Sequence, residues 1–123
     1  MKVLIVDDEV EIVSLLKEFV LEIFDEVEVA YDGIEAMEAF RSQKFDLIIS
    51  DLNMKNSDGI EFLSEVRKLD LHIPFYILTS FVGIEDESIL ENLNVTEVFT
   101  KPRFDPLLEA IKKHHPENQT ALA

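Results

Sequence analysis

Residues 3–8 read Val3-Leu4-Ile5-Val6-Asp7-Asp8. An uninterrupted, mostly β-branched apolar run of this length specifies a strand buried on both faces, and two carboxylates end it at once. The signature returns at Leu47-Ile48-Ile49, followed by Ser50 and Asp51, and further runs of strand length lie at residues 27–30, 75–78 and 95–99. Between the runs the apolar residues take helical spacing. The first such segment sets Ile12, Leu16, Phe19, Val20 and Ile23 on one stripe, and the second Ala36, Met37 and Phe40. The third sets Phe62, Leu63, Val66 and Leu69, the last Leu107, Leu108 and Ile111, and the weakest stripe is Ile89, Leu90 and Leu93.

Strand and helix thus alternate five times, which predicts an α/β fold: a five-stranded parallel sheet with helices on both faces, a flavodoxin-like three-layer sandwich. The runs at 3–6 and 47–49 are purely apolar and suit the centre, whereas Glu26 and Glu28 suit the second run to an edge. The expected strand order is 2-1-3-4-5.

The chain has 123 residues, 47% of them hydrophobic, enough for one compact domain with a sizeable core. Lys plus Arg number 11 and Asp plus Glu 26, a formal net charge of −15. Residues 1–100 hold 7 basic and 23 acidic side chains, and residues 101–123 hold 4 and 3. That balance argues against nucleic acid or anionic membrane as a direct partner, because phosphate neutralisation needs clustered Lys and Arg. Cys is absent, which excludes disulfides, thiolate metal sites and a cysteine nucleophile. The amino terminus breaks at Asp7 too early for a signal peptide or a spanning helix, so the expectation is a soluble, cytoplasmic protein. The expected organisation is a domain over residues 1–115 and a short polar tail over 116–123.

In a parallel sheet the carboxyl ends of the strands share one edge, where ligands bind. The proposed order brings Asp7 and Asp8, Asp51, Thr79 and Lys101 together there. Close carboxylates repel one another, and a hard divalent cation with oxygen ligands relieves the repulsion; Mg²⁺ also leaves coordination positions for phosphate oxygens. A carboxylate can act as nucleophile and form an acyl phosphate, whose three equatorial oxygens need positive or donor partners. Asp51 is the best-placed nucleophile, with Lys101 and Thr79 as partners of the phosphoryl oxygens.

These motifs resemble the receiver domain of two-component response regulators over about residues 1–115. The likeness rests on Val3 to Glu9, Asp46 to Met54, Asp58-Gly59, Ile77-Leu78-Thr79-Ser80 and Thr100-Lys101-Pro102. Each is weak alone, and all in order form a strong signal. The resemblance implies that Asp51 accepts a phosphoryl group from a histidine kinase or phosphotransfer protein. It implies Mg²⁺ on Asp8 directly, on Asp7 through water, on Asp51 and on the main-chain carbonyl of Asn53. It further implies a cis peptide between Lys101 and Pro102, and an output to a downstream protein target or a phosphorylation-dependent homodimer through helix 4, strand 5 and helix 5. With no further domain after residue 123, a stand-alone regulator is expected.

Three positions depart from the usual pattern: Lys55 where Pro is common, Ser57 where Met is common, and Val98 where Tyr or Phe is common. Phe99 cannot substitute for an aromatic at 98, because successive strand residues face opposite ways. Val98 keeps open an alternative, a receiver-fold interaction module that works independently of phosphorylation. Phe81, two residues past Thr79, is expected to shield an acyl phosphate from water.

Other readings meet obstacles in the residues. An EF-hand starting at Asp51 would need an acid or Asn at Lys55 and Gly at Asn56. An aspartate-nucleophile phosphatase would separate its acid pair by one residue after strand 1, and a flavin carrier would not place Asp7-Asp8-Glu9 where a phosphate must sit. Structural readings also stand beside the functional ones. Asp8 with Glu11 has capping-box spacing, Asp105-Pro106 reads as an N-cap followed by Pro, and residues 56–59 read as a turn. Glu85-Asp86-Glu87 suits a helix start, His72 a loop, and His114 and His115 a solvated helix end.

Overall fold

The computed structural model describes residues 1–115; the expected tail at 116–123 lies outside them. The elements run β1 (Lys2–Val6), α1 (Val10–Leu21), β2 (Glu26–Ala30), α2 (Gly33–Ser42) and β3 (Leu47–Ser50), then α3 (Gly59–Leu69), β4 (Phe75–Thr79), α4 (Ile84–Asn92), β5 (Glu97–Thr100) and α5 (Asp105–Lys112). All strand pairs are parallel and the order is β2-β1-β3-β4-β5, as the apolar runs predict. Among the described residues no helix is long and apolar enough to cross a membrane.

The sheet divides the core into two layers because side chains alternate along each strand. Leu4, Val6, Ile48, Phe75 and Ile77 pack with Ala36, Met37, Phe62, Leu63, Val66 and Leu90 on one side. Val3, Ile5, Leu47, Ile49, Tyr76 and Leu78 pack with Leu16, Val20, Leu107 and Ile111 on the other. Full burial of each Val, Leu, Ile, Met or Phe among them is worth roughly 1.5–3 kcal/mol. Val98 belongs to the first layer and Phe99 to the second, where its ring stacks on Tyr76 with centroids 6.3 Å apart. These two residues therefore face opposite layers, and Phe99 does not occupy the place of an aromatic at 98.

Several local expectations are displaced. In α1 the buried line is Val13, Leu16 and Val20, with Ile12 and Phe19 only half-buried. No capping box forms at Asp8: the cap is Glu9, without a side-chain bond, and Asp8 turns to another loop. Asp105 is the first residue of α5 and not its cap, which is Phe104. In α3 the stripe includes Arg67, 6% exposed, in place of Leu69, which is 62% exposed because the helix ends there. Arg67 donates from Nε to the Leu93 carbonyl at 2.9 Å, and from its terminal nitrogens to the carbonyls of Asp70 at 3.1 Å and Asn94 at 2.9 Å. It thereby ties the end of α3 to the end of α4, a helix whose only buried residue is Leu90. His114 is not simply solvated: its Nε2 lies 2.7 Å from the Tyr76 hydroxyl.

Candidate functional site

Strand register builds the site. Val6 pairs with Ser50 across β1 and β3, so the next residues, Asp7 and Asp51, emerge side by side. The Asp51 N–H donates to the Val6 carbonyl at 2.9 Å and fixes that alignment. Thr79 pairs with Thr100 across β4 and β5, which delivers Lys101 to the same edge. The Lys101–Pro102 peptide is cis.

One oxygen from each of Asp7, Asp8 and Asp51 falls within 4.8 Å of the others. Asp7 and Asp51 are buried, at 3% and 4% exposure, while Asp8 is half-buried at the rim. The Lys101 ammonium reaches into this cluster, 2.8 Å from Asp7 Oδ2 and 2.9 Å from Asp51 Oδ2, with Glu9 Oε1 at 3.6 Å. Burial works against the Lys101 charge, but the bonds to Asp7 and Asp51 outweigh it and hold its pKa above the usual lysine value. Burial also pushes the Asp7 carboxyl above the ordinary carboxylate range, against the pull of Lys101 and of the Glu9 N–H.

The oxygens of Asp51 are not equivalent. Oδ1 accepts the backbone N–H groups of Leu52 at 2.7 Å and Asn53 at 3.2 Å, whereas Oδ2 takes the bond from Lys101. Asp8 Oδ2 accepts the Lys55 N–H at 2.8 Å. Asn53 lies beside the cluster, and its side-chain amide donates to the Phe81 carbonyl at 3.0 Å and approaches Thr79 Oγ1 at 3.4 Å. The Thr79 hydroxyl in turn lies 3.4 Å from the Phe81 carbonyl. The Phe81 ring itself is 69% exposed.

The loop after Asp51 is anchored at both ends. Gly59 backs directly onto the strand end: a Cβ there would sit 2.1 Å from the Asp51 carbonyl oxygen and 2.7 Å from Leu52 Cα. A pattern of turn residues gives no hint of that contact. Ser57 accepts the Gly33 N–H at the start of α2 at 2.7 Å, so this departure from the common pattern supplies a tether. Glu9, the Lys55 amide and Ser57 are site or loop contacts that the strand-end argument misses, since each depends on loop geometry. The all-oxygen donor set, buried on one side and open at Asp8, fits Mg²⁺.

Fold and site together define a flavodoxin-like α/β domain with an acidic, lysine-bridged cleft at the carboxyl edge of its sheet. The chain belongs to the response regulator receiver domain family, whose profile matches residues 3–112. The transcriptional regulatory protein ZraR of Salmonella typhimurium is 32% identical over 112 residues, which cover 90% of this chain and 25% of that protein. The chain thus spans about a quarter of the length of this relative. Among solved structures, a CheY-like receiver domain protein from Methanospirillum hungatei superposes with a TM-score of 0.87 at 26% identity, covering 98% of this chain and 97% of the other. The response regulator TrrA of Thermotoga maritima, solved in complex with Mg²⁺-BeF, gives a TM-score of 0.78 at 35% identity, covering 91% and 96%. As a receiver domain the chain is a signalling module.

Proposed function

We propose that residues 1–115 form a cytoplasmic phosphoacceptor switch in which Asp51 takes a phosphoryl group from a histidine kinase or phosphotransfer protein with Mg²⁺. The observation that carries this reading is the Lys101 ammonium shared between Asp7 and Asp51, with Asp8 completing the carboxylate cluster. Asp7, Asp8, Asp51 and the Asn53 carbonyl would hold the metal. Bound there, Mg²⁺ supplies positive charge that lets an anionic phosphoryl group approach an anionic nucleophile.

Asp51 Oδ1 is occupied by two backbone donors, which leaves Oδ2 as the attacking oxygen. Its bond to phosphorus forms as the donor's P–N bond breaks, and the histidine nitrogen keeps the electron pair. Lys101 holds Oδ2 at rest and would pass to a phosphoryl oxygen as the bond forms. Thr79 would leave its contacts with Asn53 and the Phe81 carbonyl to donate its hydroxyl to a second oxygen. Through its own residues the domain would then catalyse both its phosphorylation and its later hydrolysis.

Release of Thr79 from the Phe81 carbonyl frees the segment leading into α4, which is lightly packed. A shift there would alter the face of α4, β5 and α5 presented to a downstream protein or to a second copy. The test is intact-mass measurement after incubation with Mg²⁺ and acetyl phosphate. One phosphoryl adduct is expected on the native chain and none on Asp51→Ala; no adduct on the native chain, or an unchanged one on the variant, refutes the mechanism.

A further inference from the structure

A second concavity lies away from the carboxylate cluster, between α2 and α3. It is an open cleft of about 390 Å³, within the range of roughly 300–1,000 Å³ that small-molecule sites occupy. Its floor is apolar: Met37 and Phe62 are buried beneath it, and Ile34, 66% exposed, stands at its edge. Its walls are acidic. Glu38 comes from α2, Asp58 from the helix start, and Glu61 and Glu65 from α3, against a single base, Arg41. Glu65 pairs with Lys68, but neither Glu38 nor Glu61 has an ion-pair partner among the described residues.

One end of this cleft is closed by Ser57 against Gly33. Their contact is tight, since a Cβ on Gly33 would lie 3.2 Å from both Ser57 Cβ and Oγ. Ser57 sits two residues from Lys55, whose N–H holds Asp8, and four from Asn53, whose N–H holds Asp51. A body seated in the cleft therefore bears on the loop that positions two of the three clustered carboxylates.

We propose that the α2–α3 cleft binds a small cationic amphiphile, an apolar ring or short chain carrying one ammonium, and that its occupancy is transmitted to Asp8 through Ser57 and Lys55. The apolar part would cover Met37 and Phe62 and lie along Ile34. The ammonium would meet Glu38 and Glu61, which outnumber Arg41. This reading is independent of phosphorylation at Asp51, because it concerns a different cavity and needs no metal.

The test is amide chemical-shift mapping of the full chain during titration with 2-phenylethylammonium, with neutral 2-phenylethanol and zwitterionic phenylalanine run in parallel. Saturable shifts are expected at Gly33, Met37, Ser57 and Glu61, with the amine binding about threefold to fivefold tighter than the alcohol, the gain of partly exposed ion pairs. The pair of substitutions Glu38→Gln and Glu61→Gln should abolish that difference while leaving the spectrum folded. Amides of Lys55 and Asp8 should move with the same saturation curve, and Ser57→Ala should suppress their movement while Met37 still shifts. Absence of saturable shifts in the cleft, equal affinity for amine and alcohol, or tightest binding of phenylalanine would each overturn the ligand class. Static Lys55 and Asp8 amides in a saturated cleft would overturn the coupling.

Discussion

Replacing Lys101 by Met keeps the aliphatic stem and removes only the ammonium. The side chain is 7% exposed and makes two charge-assisted bonds, to Asp7 at 2.8 Å and Asp51 at 2.9 Å. Hydrogen bonds to charged groups are worth roughly 1.5–3 kcal/mol each, and they are not additive when they share one donor. The larger part of the cost is what remains: two buried carboxylates with no cation between them. Breaking a buried pair by deleting one partner typically costs about 3–5 kcal/mol, and that is the loss expected at pH 7 in EDTA. With a urea m-value of about 2 kcal/mol/M, the midpoint should fall by about 2 M. Mg²⁺ added to the same samples should return about 2.7 kcal/mol at a hundredfold excess over its Kd, because the variant keeps the carboxylates. Circular dichroism in urea measures both quantities. Asp51→Asn in the Lys101→Met background should recover part of the loss, since it removes one stranded charge. A loss below about 1 kcal/mol, the scale of an exposed pair, would refute the reasoning. So would a cycle with Asp51→Asn that is additive within about 0.5 kcal/mol.

Gly59→Ala should destabilise by more than about 3 kcal/mol or prevent folding, because its Cβ would meet backbone atoms of Asp51 and Leu52 that cannot yield; soluble yield and urea midpoint report it. Arg67→Met should cost about 2–4 kcal/mol by stranding three carbonyls, with hydrogen exchange rising first in α4. The Tyr76–His114 pair gives a pH dependence. Burial, then Lys113, lowers the His114 pKa, so its contribution is present above the unfolded value of about 6.5 and fades as pH falls through the folded one. Burial, then Glu97, raises Tyr76 to about 12, so its contribution is lost as pH climbs from 10 through that value. Thermal melts at pH 7 and pH 5 should show the native chain losing more stability than His114→Phe. Finally, Phe81→Glu should hasten loss of the phosphoryl group from Asp51, read by mass spectrometry over time; equal or slower loss would show that the ring does not shield it.

The order of the sheet was legible because burial differs between strands. Runs at 3–6 and 47–49 without a polar residue had to be covered on both faces, while Glu26 and Glu28 could only lie at an edge, where β2 is found. Parallel register then does the rest, since Val6 opposite Ser50 places Asp7 beside Asp51 with no further information. What was not legible depends on how helices end and loops close. The stripe in α3 continues to Leu69 by periodicity, but the helix stops there and Arg67 is buried because three backbone carbonyls converge on it. Likewise Asp8 has the spacing of a helix cap, yet the Lys55 amide, remote in sequence, competes for its carboxylate. His114 reads as a frayed residue until α5 is laid against β4 and its ring meets the Tyr76 hydroxyl.

The position of β1 between β2 and β3 bears on how the chain reaches its fold. Residues 2–50 contain β1, the strands that pair with it on either side and the two helices that connect them, so three of the five strands can assemble before β4 exists. β4 and β5 then add in sequence order along one growing edge, each closing a loop onto a neighbour already in place. Loop closure is the slow cost in parallel sheets, and this arrangement divides it into short steps that follow the direction of synthesis. A ribosome-bound chain would thus pair β1 on both sides first and hold the free edge of β3 open only until the next helix and strand emerge.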